Sequence, residues 1–293
     1  QNPETHTVRA AFRRLDFRVV VDERLTDTAR EADVILPSKS LFEQSDVIGA
    51  YWHAYLQLRQ KLIEPPGEVK PETEIYWELG KRLGMDENTL SSILPEPDDV
   101  SVEQWLEAKL KPFAITLEQL REGPVLAPGT PEVAFTDLQF STPSGRIELV
   151  SEEAVARWRV AALPEFCEPV EGAGLGKYPL QFLTPNTKNG IHSQFLNLDV
   201  IRQFEPGPFL FLSPEDAAIR HLHNGDLARV FNDRGELRLP VRIDLSLRPG
   251  VVVAFNGYGT EHGGSVNLLS LGRETDMGYG AAFHDNRVDV ERG

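Results

Sequence analysis

The sequence predicts two architectures in series, an α/β region with a parallel sheet followed by a small closed all-β barrel. Three observations carry this. Short β-branched runs alternate with short helical patterns near the start, at Phe17–Val21 and Val34–Leu36, which is the pattern of a parallel sheet. Five short apolar segments recur after residue 178, punctuated by Asn224-Gly225-Asp226 and Asn232-Asp233-Arg234-Gly235, and closing them on themselves buries them all. Between the two patterns lies a stretch with Pro164, Pro169, Gly172, Gly174 and Gly176, the composition of a linker. The expected domains are residues 1–163 and 178–293.

The elements follow in chain order. Glu4–Leu15 fits a surface helix after Pro3, where proline's fixed φ and missing N–H do no harm. The runs Phe17–Val21 and Val34–Leu36 are strands, the second closed by Pro37, with a helical turn over Thr26–Ala32 between them. Leu58 and Leu62 alternate with polar partners in Gln57–Ile63 before Glu64-Pro65-Pro66-Gly67 interrupts regular structure. Glu72–Leu83 reads as an amphipathic helix with Ile75, Leu79 and Leu83 at fours, ended by Gly84. Between Glu87 and Gly129, Val102–Leu110 is the best helix, and Phe140–Leu149 reads as a hairpin-like turn between short strands.

Beyond the linker, strands are expected at Pro179–Leu183, Pro208–Leu212, Leu227–Phe231, Glu236–Ile243 and Val251–Phe255. A helix from Pro214 to about Leu222 crosses among them, because Ser213 supplies an N-cap, Pro214 the first helical position, and Glu215 and Asp216 acids in the first turn. Asp216 therefore reads as a helix-terminus device.

Composition narrows the function. The 293 residues, 41% of them hydrophobic, suffice for full cores, and 45 acidic against 30 basic side chains give a formal charge of -15. That balance disfavours nucleic acid and anionic membrane as partners. No apolar run approaches the ~20 residues that span a bilayer. The first residues show neither the basic nor the apolar region of a targeting signal, and a chain that opens on Gln1 rather than Met is expected to lack preceding residues; its compartment is not readable. Cys167 is the single cysteine, so this chain alone provides no disulfide, Cys-ligated zinc or iron–sulfur cluster. Its acidic neighbours Glu165 and Glu168 disfavour a reactive thiolate.

The chemistry concentrates in Thr184-Pro185-Asn186-Thr187-Lys188-Asn189-Gly190-Ile191-His192-Ser193, delivered by the apolar run Leu180–Leu183. Hydroxyls, amides, one ammonium and one imidazole give it an excess of donors suited to a phosphate-bearing cofactor. Pro185 fixes the backbone and Gly190 frees it. An ordinary polar loop is the competing reading. Asp22 follows Val21 at a strand end, where open α/β sheets bind ligands, and it equally serves as the cap of the next turn. The glycine-rich segments Gly263–Leu269 and Gly278–Asp285 permit either close ligand approach or tight turns. The histidines lack metal-ligand spacing, since His221 and His223 lie two apart, and the P-loop, Gly-x-Gly-x-x-Gly and Gly-x-Ser-x-Gly motifs are missing.

Taken together, several short stretches resemble the molybdenum or tungsten bis(molybdopterin guanine dinucleotide) oxidoreductases related to dimethyl sulfoxide reductase, formate dehydrogenase and nitrate reductase, in their C-terminal part. The stretches are Asn2-Pro3, Val20-Val21-Asp22 with Thr26-x-Thr28-Ala29, Ala32–Pro37, Thr142–Leu149, the Thr184–Ser193 loop, Pro214–Ala217, Asn224-Gly225-Asp226 and Val266-Asn267-Leu268. The resemblance implies a partial, Rossmann-like α/β region followed by a double-psi β-barrel. It implies that Thr184, Pro185, Asn186, Thr187, Lys188, His192 and Ser193 line the cofactor and that Asp22 recognises a guanine amino group. Asn2, Gln44, Glu72, Asn267 and His284 match further cofactor contacts, although Glu72 stands where relatives often have Asp, and Gln44 and His284 where some have Lys.

The family's protein ligand to the metal and its iron–sulfur cysteines lie upstream of the matched region. The resemblance therefore implies a partner, either a missing N-terminal catalytic portion or a separate catalytic subunit, with room for an electron-transfer subunit, and assigns no catalytic or metal-ligating residue to this chain. The rival expectation is a non-catalytic cofactor- or nucleotide-binding β-barrel subunit or assembly module.

Overall fold

The computed structural model describes residues 2–172, 176–205, 207–275 and 278–293. Contacts group the chain into two compact units, one of residues 17–148 and one of residues 1–16 with 149–293. This grouping differs from a simple split at the linker, because the first helix, α1 (Thr5–Arg13), belongs with the C-terminal residues. The physical tie is local: the Glu4 amide donates to the Ser270 carbonyl at 3.1 Å.

In the unit of residues 17–148, β1 (Val19–Asp22) and β2 (Val34–Pro37) pair in parallel, Val19 opposite Val34 and Asp22 opposite Pro37. A 3-10 turn over Ala29–Glu31 links them. The parallel sheet contains these two strands among the described residues, and Val19, Val34 and Ile35 stay exposed on it.

A second sheet went unread in the sequence. The antiparallel strands β3 (Asp46–Ala50) and β4 (His53–Arg59) form a hairpin with an irregularity between Ile48 and Ala50. Helix α2 (Glu72–Arg82) follows and ends near Gly84 as expected. Next come α3 (Glu87–Ile93), α4 (Asp99–Leu110) and α5 (Leu117–Glu122), and β5 (Val125–Leu126) then pairs with β4.

The starts of α3, α4 and α5 are capped by Asp86, Asp98 and Thr116, the last in a reciprocal capping box with Gln119. Val102, Leu106, Leu110, Ile115, Leu117 and Leu120 form this unit's core, with Leu56 and Leu58 of β4 packed against them. The 142–149 segment corrects an expectation: Thr142 Oγ1 donates to the Arg146 carbonyl at 2.6 Å and a turn forms, but no strands flank it among the described residues. The side chain satisfies the turn locally, so no ladder is required.

In the second unit, α6 (Glu152–Trp158) is capped by Ser151. The expected linker shows no helix or strand where it is described, and its Gly174 lies outside the described residues. Then β6 (Leu180–Leu183), α7 (Asp199–Arg202), β7 (Leu210–Leu212), α8 (Pro214–Ile219), β8 (Leu227–Asn232), β9 (Gly235–Ile243), β10 (Val251–Val253) and β11 (Asn286–Arg292) follow.

The six strands close a barrel in the order β10-β6-β11-β8-β9-β7, with β7 returning to β10. Pairs β6/β10 and β7/β9 are parallel and the other four antiparallel. Closure removes sheet edges. It needs β11, a strand the sequence reading missed. Leu180, Phe182, Leu210, Leu212, Val230, Leu237, Leu239, Val241, Val252 and Val288 fill the interior, each contributing roughly 1.5–3 kcal/mol by burial.

Asp216 takes the structural role expected of it. It accepts from the Ser213 hydroxyl at 2.7 Å and from the Gly250 amide at 2.9 Å, tying the start of α8 to the turn before β10.

Candidate functional site

Residues 184–193 leave the carboxyl end of β6, which is gripped on both sides by β10 and β11. The loop is anchored at its root. The Thr184 amide donates to His284 Nδ1 at 3.3 Å, and Gln181 Nε2 donates to the His284 carbonyl at 2.5 Å. The structure thus joins two of the sequence candidates, Thr184 and His284, across a chain separation of 100 residues.

Inside the loop Thr184 and Thr187 are buried, while Asn186, Lys188, His192 and Ser193 are exposed and Pro185 is half-buried. The Thr187 hydroxyl has no hydrogen-bond partner although it is buried. Gly190 sits in a tight place, a feature other than the expected backbone freedom. A Cβ there would stand 2.6 Å from Thr187 Oγ1, so what is needed is space.

At the far end of the loop, Asn189 donates from its amide at 3.2 Å and its side chain at 3.1 Å to Glu205 Oε1. The same carboxylate lies close enough to the buried Tyr258 to raise its pKa, although burial itself is the larger cause. His192 sits in the left-handed region at φ 52, a strained state for a non-glycine residue and one found preferentially at functional sites.

Segment 265–271 carries a further sequence candidate. Asn267 is buried in a 3-10 turn (Val266–Leu268) whose start is capped by the Ser265 side chain. The turn is fixed from below, where Asn232 Nδ2 donates to the Leu269 carbonyl at 2.8 Å and the Leu271 amide donates to Asn286 Oδ1 at 3.1 Å. Asn2 is exposed at the entry to α1, two residues before the Glu4 amide that reaches Ser270. Hence the Asn2 segment is held against the segment that carries Asn267.

The remaining candidates share one edge of the other unit. Asp22 ends β1, and its carboxylate accepts from the Arg24 amide and the Thr26 hydroxyl, both at 3.0 Å, so it caps the following turn. Its carbonyl accepts from the Ser38 amide beyond β2, and the next residue, Lys39, pairs with Glu72 at 3.1 Å. Gln44, buried, donates to Thr73 Oγ1 at 3.0 Å. Asp22, Gln44 and Glu72 are therefore gathered at the carboxyl end of the parallel pair and the start of α2, the edge where such sheets bind ligands.

The sequence reading missed Asn256 and Gly257, which follow β10. Asn256 Nδ2 donates to the Thr184 carbonyl and its amide to the Pro185 carbonyl, both at 3.0 Å. An Asn-Gly pair just after an apolar run was the available signal. Among the described residues no three His, Cys, Asp or Glu side chains form a group able to hold a metal ion, and no helix is long and apolar enough to cross a membrane.

Residues 180–286 match the Molydopterin dinucleotide binding domain family and residues 1–82 the Molybdopterin oxidoreductase family. The chain belongs to the molybdopterin oxidoreductases. Within that family it is 33% identical to a probable oxidoreductase of Bacillus subtilis, over 99% of this chain and 42% of the relative. It is 29% identical to the dimethyl sulfoxide reductase of Haemophilus influenzae, over 98% of this chain and 40% of that protein.

The solved structure of acetylene hydratase from Pelobacter acetylenicus shares the fold, with a TM-score of 0.78, 20% identity, and coverage of 100% of this chain and 42% of the hydratase. The chain thus spans about two fifths of the length of these relatives. The dinucleotide-binding match begins at the first residue of β6 and contains the whole 184–193 loop. A molybdopterin dinucleotide is accordingly the cofactor class.

Proposed function

We propose that this chain is the C-terminal, cofactor-binding portion of a molybdenum or tungsten bis(molybdopterin guanine dinucleotide) oxidoreductase. The complete enzyme would carry out two-electron oxygen-atom or proton and electron transfer on a small substrate. When bound, the cofactor supplies the redox chemistry, and the chain's own residues bind and orient it.

The observation that carries this reading is the 184–193 loop. It leaves a strand held on both sides, presents the Lys188 ammonium, the His192 imidazole and the Ser193 hydroxyl to solvent, and keeps an unpartnered Thr187 hydroxyl beneath them. In a chain of net charge -15, a local cluster of donors is what an anionic dinucleotide requires. The donor set fits that group.

In this reading Thr184, Pro185, Asn186, Thr187, Lys188, His192, Ser193, Asn267 and His284 line a cofactor-binding surface of the second unit with Asn2 beside it, and Asp22, Gln44 and Glu72 form a binding edge of their own in the unit of residues 17–148. Asp22 would contribute carboxylate lone pairs left over from the Arg24 and Thr26 bonds. The functional division is residues 178–293 as a double-psi, dinucleotide-binding barrel and residues 1–163 as a partial, Rossmann-like α/β region. The exposed apolar Val19, Val34 and Ile35 on a sheet of two strands among the described residues support a further portion of protein, in the same polypeptide or a catalytic subunit, that covers them and supplies the metal ligand. An electron-transfer subunit is the further partner.

The test is Lys188→Ala and His192→Ala in the full-length enzyme, with metal and pterin content, metal redox potential and turnover measured. Cofactor retention falls or the potential moves in at least one variant. Wild-type values of all four quantities in both variants sink the assignment.

A further inference from the structure

We infer that Asn256 and Gly257 are positioning residues that clamp the 184–193 loop in its binding shape before the cofactor arrives, a step that rests on the function proposed above. The two residues hold the loop at both ends. Asn256 fixes the root, its side-chain amide donating to the Thr184 carbonyl and its backbone amide to the Pro185 carbonyl, each at 3.0 Å. Gly257 fixes the tip, because a Cβ on it would lie 2.0 Å from the His192 carbonyl oxygen and 2.9 Å from its carbon. The His192 backbone rests directly on the glycine.

That contact admits no side chain, and the backbone of Gly257, at φ +96, would strain one independently. The same contact explains how His192 persists at φ 52: strained backbone survives where its surroundings over-determine it. The pair does more than turn the barrel chain, since two Asn256 hydrogen bonds go to the loop and a Cβ on Gly257 would meet the His192 backbone and, at 3.3 Å, the Leu196 side chain. Asn256 Oδ1 is buried and unpartnered, as is the Thr187 hydroxyl. Two buried polar atoms without partners cost the loop stability, and the clamp contacts offset that cost. Preorganisation of this kind reduces the ordering entropy lost on binding and shows chiefly as slower release.

The test compares three variants of the full-length protein. Gly257→Ala drives a methyl into the His192 carbonyl; Asn256→Asp keeps the shape but replaces the amide donor by a carboxylate facing the Thr184 carbonyl. Gly250→Ala is the control. Gly250 also has a left-handed φ, +84, but a Cβ there meets nothing within 4 Å, so this variant reads backbone strain without loop contact.

Two readouts separate the clamp from the cofactor assignment. In cofactor-free protein, cleavage by lysyl endopeptidase after the exposed Lys188 is timed by mass spectrometry; in loaded protein, the release rate of the pterin dinucleotide is followed. The clamp predicts Lys188 cleavage at least ~10-fold faster in Gly257→Ala and in Asn256→Asp than in Gly250→Ala, the factor matching one lost hydrogen bond or contact, and faster release to match. Cleavage in both variants at the Gly250→Ala rate overturns it. A loop that loosens in the cofactor-free variants, in a protein whose wild type retains no dinucleotide, upholds the clamp and overturns the cofactor reading instead.

Discussion

The carboxylate of Glu171 accepts both prongs of the Arg234 guanidinium, at 2.5 and 3.0 Å, and the Arg287 amide at 2.9 Å. Arg234 in turn donates to the Leu269 carbonyl at 2.8 Å, so one acid in a segment without secondary structure ties that segment to the barrel and to the segment bearing Asn267. The pair is mostly buried, which lifts it above the near-zero value of a surface ion pair. Glu171→Ala should cost about 2 kcal/mol in denaturant unfolding, whereas Glu165→Ala, on an exposed acid of the same segment, should stay within ~0.5 kcal/mol. Equal losses in the two variants would remove the special role of Glu171. At this scale the sequence was informative where a residue acts locally: Asp216 and Asp22 could be read as caps because their partners lie within four positions. Asn256, which bonds across 72 residues to Thr184, could not, and Gly190 was chosen for its backbone when its lack of volume mattered.

Helices and strands were legible in proportion to how far their own pattern decides them. Helix α2 was readable from apolar spacing and Gly84, and the five strands β6 to β10 from short apolar runs bounded by turn residues. Strand β11 was not, because Asn286-Arg287-Val288-Asp289-Val290-Glu291-Arg292 alternates apolar and charged residues with only two valines to mark the inner face. Its assignment is made by its neighbours β6 and β8. The β3/β4 hairpin was missed likewise, since Gly49, Tyr51, Trp52 and His53 at its tip break the alternation. The charge pattern of α2 gives a prediction at this same level. Glu78 receives hydrogen bonds from Lys70 and from Arg82, and these cations hold its carboxyl down to about 2 from an ordinary 4.5. A carboxylate with a depressed folded pKa contributes stability that is fully present above its unfolded pKa and is lost as pH falls through the folded one. Glu78→Gln should therefore be less stable than wild type at pH 7, with the gap narrowing between about pH 4.5 and about pH 2 and closing below. The gap is small, because a third of the side chain is exposed. Urea midpoints of both proteins across that range decide it, and a gap of constant size would mean that lost packing, not charge, is responsible.

Across the whole molecule, each compact unit has its own apolar core, one filling the barrel and one around α4 and α5. Separate cores permit separate unfolding. The barrel alone depends on closure, and closure depends on the last strand, since β11 is the only connection between β6 and β8 in the ring. Ending the chain after Asp285 deletes Val288 and Val290 from the core and opens two edges at once. Leu180, Phe182 and Val230 then lose their cover, and the root of the 184–193 loop loses β11, the partner that holds β6 on one side. Hydrogen exchange on the truncated protein should show amides of β6, β8 and β9 exchanging at least ~100-fold faster, as expected when a fully buried core strand is lost. Amides of α4 and α5 should keep their wild-type protection, because Leu106, Leu110, Leu117 and Leu120 pack within the other unit. Simultaneous loss of protection in α4 and α5 would show instead that the two cores unfold as one cooperative body. Retained protection in β6 would show that five strands suffice, and the binding loop would then owe its rigidity to the Asn256–Gly257 contacts and β10 alone.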